Sequence, residues 1–408
     1  MPAGFFSQST LAKSRAPAYT LPQCGACRLY ETCNSPKMPV TGDGNKGILI
    51  VAEAPGKEED KQGVQLVGES GQLLRRELRR LGIDLDRDCW KTNSIICHPE
   101  GNVTPTSAQI DYCRPNITNA IRDLNPVCII TLGGPAVQSV LQPYYEDKGG
   151  FPAGRWAGWR IPLRPINTWV CPTYHPAYLL RAKDDVPKIY FRDHLQNAVA
   201  CANGGRPWEY PFDPADRVEI ILNTDKAAKK LAWMLGKGGP IAFDFETNML
   251  KPDGPNARII SCAVCWRGRK TIAYPWAGLA VDATRALLLS PQPKVGYHAK
   301  FEERWARAVP ELGIEINGWV YDGMQGAHVC DNRPAISSLS FQSLVRLGVP
   351  VYDKHIKPFL EAQGTRSPNR VASEIDLRDL LKYNSVDAWC EYHVAVSQIA
   401  ELQYPLSL

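Results

Sequence analysis

Residues 240–248, Pro-Ile-Ala-Phe-Asp-Phe-Glu-Thr-Asn, set two carboxylates into an apolar run. The alternation reads as a β-strand. A strand points successive side chains to opposite faces, so Asp244 and Glu246 share one face while Phe243 and Phe245 point the other way, into packing. Two carboxylates side by side repel and raise each other's pKa unless a cation is present. A divalent metal resolves this. Oxygen-ligated paired ions about 4 Å apart activate water and stabilise a leaving 3′ oxygen. Further acids are then needed from elsewhere in the chain. Glu302 lies in YHAKFEERW (297–305), and Asp387 in YNSVDAW (383–389). Tyr383 and Asp387 have i, i+4 spacing, which puts them on one face of a helix.

Working outward, the neighbouring segments alternate strand and helix. EIILN (219–223) reads as a strand, DKAAKKLAWML (225–235) as a helix, and 372–396 as a long helix. The first half has the same rhythm. GILIVAEAPG (47–56) reads as a buried strand over Ile48–Ala52 ending in a loop. SGQLLRRELRRLG (70–82) follows as an amphipathic helix, with Leu74, Leu78 and Leu81 on one face and arginines on the others. PVCIITLGGPAV (126–137) is another strand running into a Gly-rich turn. This pattern predicts α/β layers around a mostly parallel sheet. The Gly-, Pro- and Asp-rich stretch CANGGRPWEYPFDPADR (201–217) has neither periodicity and reads as a linker. The expected organisation is two α/β domains, 1–200 and 216–408, joined by 201–215.

The composition is that of a globular chain: 408 residues, 44% hydrophobic and 22% charged. It excludes a disordered tail, a fibre and a small disulfide scaffold. No run approaches the ~20 apolar residues of a membrane span. Residues 1–19 lack the charged head and apolar stretch of a secretory signal, so a cytoplasmic setting is expected. Lys plus Arg is 47 and Asp plus Glu 42, a net +5 that neither proves nor excludes a nucleic-acid partner. The thirteen cysteines therefore need an account other than disulfides. Cys24-Gly-Ala-Cys27 is a CxxC pair, and Cys97 and Cys113 are each closely followed by proline. Thiolates grouped in this way hold a soft metal ion or an iron–sulfur cluster. Spacing alone leaves cluster, zinc and inert buried thiols open.

The first half resembles the iron–sulfur uracil-DNA glycosylases of family 4. The resemblance rests on CGACRLYETC (24–33), AEAPGKEEDKQGVQLVGESGQLL (52–74), KTNSIICHPEGN (91–102), the CRP of DYCRP (111–115), LNPVCIITLGGPAV (124–137) and TYHPAYLLR (173–181), all in order. It implies a uracil-DNA-glycosylase-like α/β/α sandwich with a [4Fe–4S] cluster on Cys24, Cys27, Cys97 and Cys113. It also implies functional roles for Glu53 (water near the sugar), Asn93 (the uracil edge) and His175 (a donor to uracil O2). Gly56, Gly68 and Gly71 read as backbone room for a phosphate or base. Departures from the family pattern are Gln65 and Leu66 in place of Pro-Phe, Ala52 for glycine, and Val103 for arginine. Leu66 offers no aromatic face for stacking, which puts base excision in question.

The second half resembles the DEDDy 3′–5′ proofreading exonuclease domain of family A DNA polymerases, an RNase H-like fold. The resemblance rests on DFET, HAKFEERW, YDGMQGAHVCDNRPAISSLSFQSLVRLG (321–348) and DLLKYNSVDAWCEY (379–392). It implies Asp244, Glu246, Glu302 and Asp387 as the acids organising Mg²⁺ or Mn²⁺, and Tyr383 positioning the attacking water. Glu302 stands where many members have aspartate, and His298 where asparagine is usual. Asp322 and His328 read as supporting residues or loop anchors. Residues 401–408 are too few for a polymerase module. The implied role is therefore a phage-like replication or repair factor acting on single-stranded DNA or 3′ ends, with a separate family A polymerase and no membrane. The alternative is a catalytically silent DNA-binding or assembly subunit.

Overall fold

The computed structural model describes residues 20–147, 149–360, 367–406 and 408. The stretch 1–19, in which no secretory pattern is read, lies outside the described residues. The chain divides into two compact units, one ending at Pro211 and the other spanning Phe212–Leu408.

The first unit is built on a five-stranded sheet. Its strands are β1 (Ile48–Ala52), β2 (Cys89–Asn93), β3 (Cys128–Leu132), β4 (Ile161–Leu163) and β5 (Thr168–Thr173), in the order β2-β1-β3-β5-β4. All pairs are parallel except the β4–β5 edge. Every residue of β1 and β3 is buried, which is why both read as unbroken apolar runs. Helix α1 (Glu69–Arg80) buries Leu74 and Leu78, and leaves Arg76, Arg79 and Arg80 exposed. Helix α2 (Ser107–Leu124) starts on a capping box between Thr106 and Gln109. Helix α3 (Pro176–Arg181) follows β5. Helix α4 (Val186–Gly204) runs on into the stretch read as a linker, because Ala198, Val199 and Cys201 still pack on the core.

The second unit contains β6 (Val218–Ile220), β7 (Ile241–Thr247), β8 (Ile259–Trp266), β9 (Lys270–Pro275), β10 (Lys294–Gly296) and β11 (Trp319–Asp322), in the order β11-β10-β7-β8-β9-β6. This sheet is mixed and does not repeat the mostly parallel layout of the first. β7, β8 and β9 form an antiparallel meander, with parallel pairs outside it. The reversal between Trp266 and Lys270 uses left-handed backbone at Arg267 (φ 51°) and Gly268 (φ 63°). Phe243 and Phe245 enter a core on one face with Leu231 of α5 (Thr224–Lys237), Leu287 of α6 (Leu279–Leu289) and Trp305 of α7 (Ala299–Ala308). The other face is covered by α10 (Leu377–Glu401), with α8 (Gly323–Cys330) and α9 (Leu339–Leu347) packed on it. Small side chains at Ala242, Ala263 and Ala273 let α10 lie against the strands. Among the described residues, no helix is long and apolar enough to cross a membrane.

Candidate functional site

Strand β7 turns Asp244 and Glu246 towards α10, opposite Ala263 and Ser261 of β8. Helix α10 supplies Asp387. One carboxylate oxygen from each of the three acids lies within 4.8 Å of the other two. Burial pushes the Asp244 carboxyl up to about 7. Burial, then the charges of Asp244, Asp387 and Glu302, pushes Glu246 well above the carboxylate range. Burial, then Asp244, does the same to Asp387. This all-oxygen donor set suits a hard divalent cation, whose charge would relieve the repulsion.

Neighbouring groups fix the acids. Asn384 donates through Nδ2 to Asp244 Oδ2 at 2.6 Å, and Ser261 Oγ donates to Asn384 Oδ1 at 3.0 Å. Asp387 accepts from the hydroxyls of Tyr352 and Tyr383, whose rings lie 6.1 Å apart. Glu302, at the start of α7, is 2% exposed and stands outside the three-acid group. It accepts from the Phe245 backbone N–H, on a strand whose pairing with β10 ends at Ala242, and its Oε2 has no partner among the described residues. Asp322 is an anchor: it accepts from the N–H groups of His298 (3.1 Å), Ala299 (2.9 Å) and Met324 (2.9 Å), holding the starts of α7 and α8.

Three residues of this neighbourhood escaped the sequence reading. Asn384 stands inside YNSVD, next to Tyr383, and was the most legible. Glu391, one helical turn past Asp387, is 2% exposed, and its Oε2 has no partner among the described residues. Burial, then the charge of Asp244, pushes its carboxyl well up. Tyr352 comes from a loop with no spacing relation to the acids. Tyr352→Phe removes one donor worth about 1 kcal/mol. If the three-acid group hydrolyses phosphodiesters, the rate should fall by about tenfold or less, beside a larger loss in Tyr383→Phe.

In the first unit the predicted residues sit at the carboxyl ends of neighbouring parallel strands. Glu53 follows β1, Asn93 ends β2, Gly133 follows β3 and His175 follows β5. The strand order departs in opposite directions from β1, which is where open α/β sheets take ligands. A Cβ on Gly133 (φ 86°) would lie 3.2 Å from His175 Cβ and 3.8 Å from Glu53 Oε2, so the glycine lets these two residues flank it closely. His175 Nδ1 accepts from the Ala177 N–H at 3.2 Å, which leaves the ring proton on Nε2. Burial lowers the His175 pKa to about 4, so the ring is a neutral donor at pH 7. Burial raises the Glu53 carboxyl, offset by a Thr104 hydrogen bond and the Arg181 charge.

Asn93 donates through Nδ2 to Gln65 Oε1, and Gln65 Nε2 donates to the Pro39 carbonyl at 3.3 Å. Leu66 is 5% exposed and belongs to the core with Leu73 and Leu74. The three glycines differ from their reading as open backbone room. A Cβ on Gly56 would meet Glu59 Oε2 at 2.6 Å, and one on Gly68 would meet Glu59 Oε1 at 3.2 Å. Glu59 Oε1 also accepts from the Val67 and Gly68 N–H groups. A Cβ on Gly71 would meet the Leu66 carbonyl at 1.9 Å. These spaces are filled by the chain itself.

The depressed His175 pKa has a consequence for stability. Between pH 6.5 and about 4 the unfolded chain takes up a proton that the native ring refuses, so stability falls as pH falls through that window. His175→Gln removes this slope. The expected result is a smaller drop in denaturant midpoint from pH 7 to pH 5 than in the wild type.

Cys24–Cys27 forms a single helical turn, tied to α2 by Gln23 N–H donating to the Tyr112 carbonyl at 2.9 Å. Cys24, Cys27, Cys97 and Cys113 line one small cavity with Leu29 and Tyr30. All four are free thiols. Burial pushes Cys97 up to about 12 and also raises Cys113. Cys33, left over in the sequence, neighbours Cys97. Cys128 and Cys171 are core residues of β3 and β5, with sulfurs 3.8 Å apart.

The first unit is thus an open α/β sheet with polar groups at its strand ends, and the second a mixed sheet with a buried carboxylate cluster. Residues 39–202 match the uracil DNA glycosylase superfamily. The type-4 uracil-DNA glycosylase of Pyrobaculum aerophilum is 33% identical over 189 residues, 45% of this chain and 89% of that one. The DNA polymerase of Bacillus phage SP01 is 23% identical over 336 residues, 72% of this chain but only 34% of the polymerase. Among solved structures, Trypanosoma brucei RNase D bound to GMP overlaps 48% of this chain and 60% of its own, at 11% identity and a TM-score of 0.38. The chain belongs, through its first unit, to the uracil DNA glycosylase superfamily and is a DNA-processing enzyme.

Proposed function

We propose that the second unit is a metal-dependent 3′–5′ DNA exonuclease and that the first recognises uracil in DNA, in a cytoplasmic replication or repair setting. The observation that carries the reading is the convergence of Asp244, Glu246 and Asp387, with Tyr383 on Asp387. Asp244, Glu246 and Asp387 would hold Mg²⁺ or Mn²⁺, with Glu302 completing the set. When bound, the ions supply a nucleophilic water and stabilise the leaving 3′ oxygen. Asn384 holds the Asp244 carboxylate in one rotamer. Tyr383 orients the attacking water in line with the terminal phosphodiester, and a nucleoside 5′-monophosphate leaves.

In the first unit, Cys24, Cys27, Cys97 and Cys113 fit a [4Fe–4S] cluster as an all-thiol set around one cavity, with zinc as the competing occupant. His175 presents Nε2–H where charge develops on uracil O2, Asn93 reads the uracil edge, and Glu53 holds water near the sugar. The phage polymerase alignment covers more of this chain than either unit holds, which supports joint use of the two units in replication.

A uracil-containing 5′-labelled strand, incubated with the Asp244→Asn chain and then treated with alkali, tests the first unit. Cleavage at the uracil position is expected. An intact strand would leave recognition without excision. Mass analysis of the wild-type digest tests the second unit: nucleoside 5′-monophosphates are expected, and 3′-phosphates would sink the reading.

A further inference from the structure

The amphipathic reading of α1 leaves its arginines without a task. Leu74 and Leu78 are fully buried, while Gln72, Arg76, Arg79 and Arg80 face out on a stripe with i, i+4, i+7 spacing. A hollow of about 480 Å³ on this helix is lined by Gln72, Arg75, Arg76, Arg79 and Arg80. A second, of about 600 Å³, lies where α1 meets α3 and α4, and adds Lys188 and Arg192 to the basic lining.

The ion pairs do not neutralise this surface. Arg75 pairs with Asp86, and Lys188 with Asp185. Glu77 alone serves Arg80 at 2.7 Å, Arg192 at 3.0 Å and Arg76 at 3.7 Å. Five cations thus share three carboxylates, and Arg79 adds a sixth charge. Complementing the helix C-terminus accounts for Arg79 and Arg80. It does not account for Arg76 in the middle of α1, nor for Lys188 and Arg192 on another helix.

Helix α1 begins near the strand-end site. α1 starts at Glu69, just after Gln65, which holds Asn93. α3 starts at His175, its cap, and α1 packs on α3. The basic surface therefore lies along the helix that starts near the base-reading residues. At 1.5 Å per residue, α1 runs for about 18 Å, the length of several phosphates. Arginine forks match phosphate oxygens in pairs.

We infer that the arginine face of α1, with Lys188 and Arg192 of α4, is a track for the phosphate backbone of a single DNA strand running away from the strand-end site. The inference rests on the reading of the first unit as a DNA-binding one. The test uses the full chain and a fluorescein-labelled, covalently closed circle of oligothymidylate, which offers the exonuclease unit no 3′ end. Anisotropy gives the dissociation constant across a salt series. Two lost phosphate contacts in Arg76→Gln/Arg79→Gln should weaken binding about tenfold and flatten the log–log salt slope by about 1.4. Lys46→Gln, an exposed change elsewhere in the unit, should leave both unchanged. A wild-type slope in the double variant, with the circle still bound, overturns the track alone. An equal loss in Lys46→Gln also overturns it, because binding is then not localised. Failure of the wild-type chain to bind the circle overturns the track and the DNA-binding reading together.

Discussion

Asp244→Asn is expected to lower the nuclease rate by about three orders of magnitude, or ~4 kcal/mol of transition-state stabilisation, because it removes a cation-binding charge from the three-acid group. The same change should stabilise the metal-free chain at alkaline pH. Burial raises the native Asp244 carboxyl from 3.8 to about 7. Between those values the unfolded chain has released a proton that the native chain retains, so metal-free stability falls as pH rises through the window and stays low above about 7. Asparagine has no such slope. At pH 8 in EDTA the variant should melt several degrees above the wild type, and at pH 4 the two should nearly coincide. Adding Mg²⁺ at pH 8 should close the gap by raising the wild type. Loss of activity together with a lower metal-free melting point would point to simple misfolding.

Cys113→Ser is the second large effect. Cys113 comes from α2, Cys97 from the loop after β2, and Cys24 and Cys27 from the turn at the start of the described chain. A cluster at this cavity joins three segments that meet around the small core of Ile95, Ile110 and Cys113. Binding energy at such a site is folding energy. The variant should lose absorbance near 400 nm, and its first unit should melt about 10 °C or more lower. Cys33→Ser should keep the colour. A colourless, zinc-loaded wild type would replace the cluster reading, and bleaching in Cys33→Ser would revise the ligand set.

What was legible in the sequence was what depends on short-range period and on motif. β1 appears over Ile48–Ala52, as the apolar run predicts, and Asp244 and Glu246 share a face because strand period forces it. What was not legible depends on chain reversal and on contacts distant in sequence. The antiparallel meander of the second sheet turns on left-handed backbone at Arg267 and Gly268, and only the glycine hints at it. Tyr352 reaches Asp387 from thirty-five residues away, and Gln65 reaches Asn93 from twenty-eight. No periodicity encodes either contact. The glycines of the 52–74 segment show the converse: the residue type was informative, but the atoms occupying the space belong to Glu59 and Leu66.

The buried carboxylates of β7 and α10 are expected to serve phosphodiester hydrolysis from a 3′ end, and the decisive measurement follows a 5′-labelled single strand over time on a denaturing gel with Mg²⁺. A ladder shortening from the 3′ end is expected with the wild-type chain, absent in EDTA and absent with Asp244→Asn. A strand that stays intact in both Mg²⁺ and Mn²⁺, or a ladder that persists in Asp244→Asn, would contradict it.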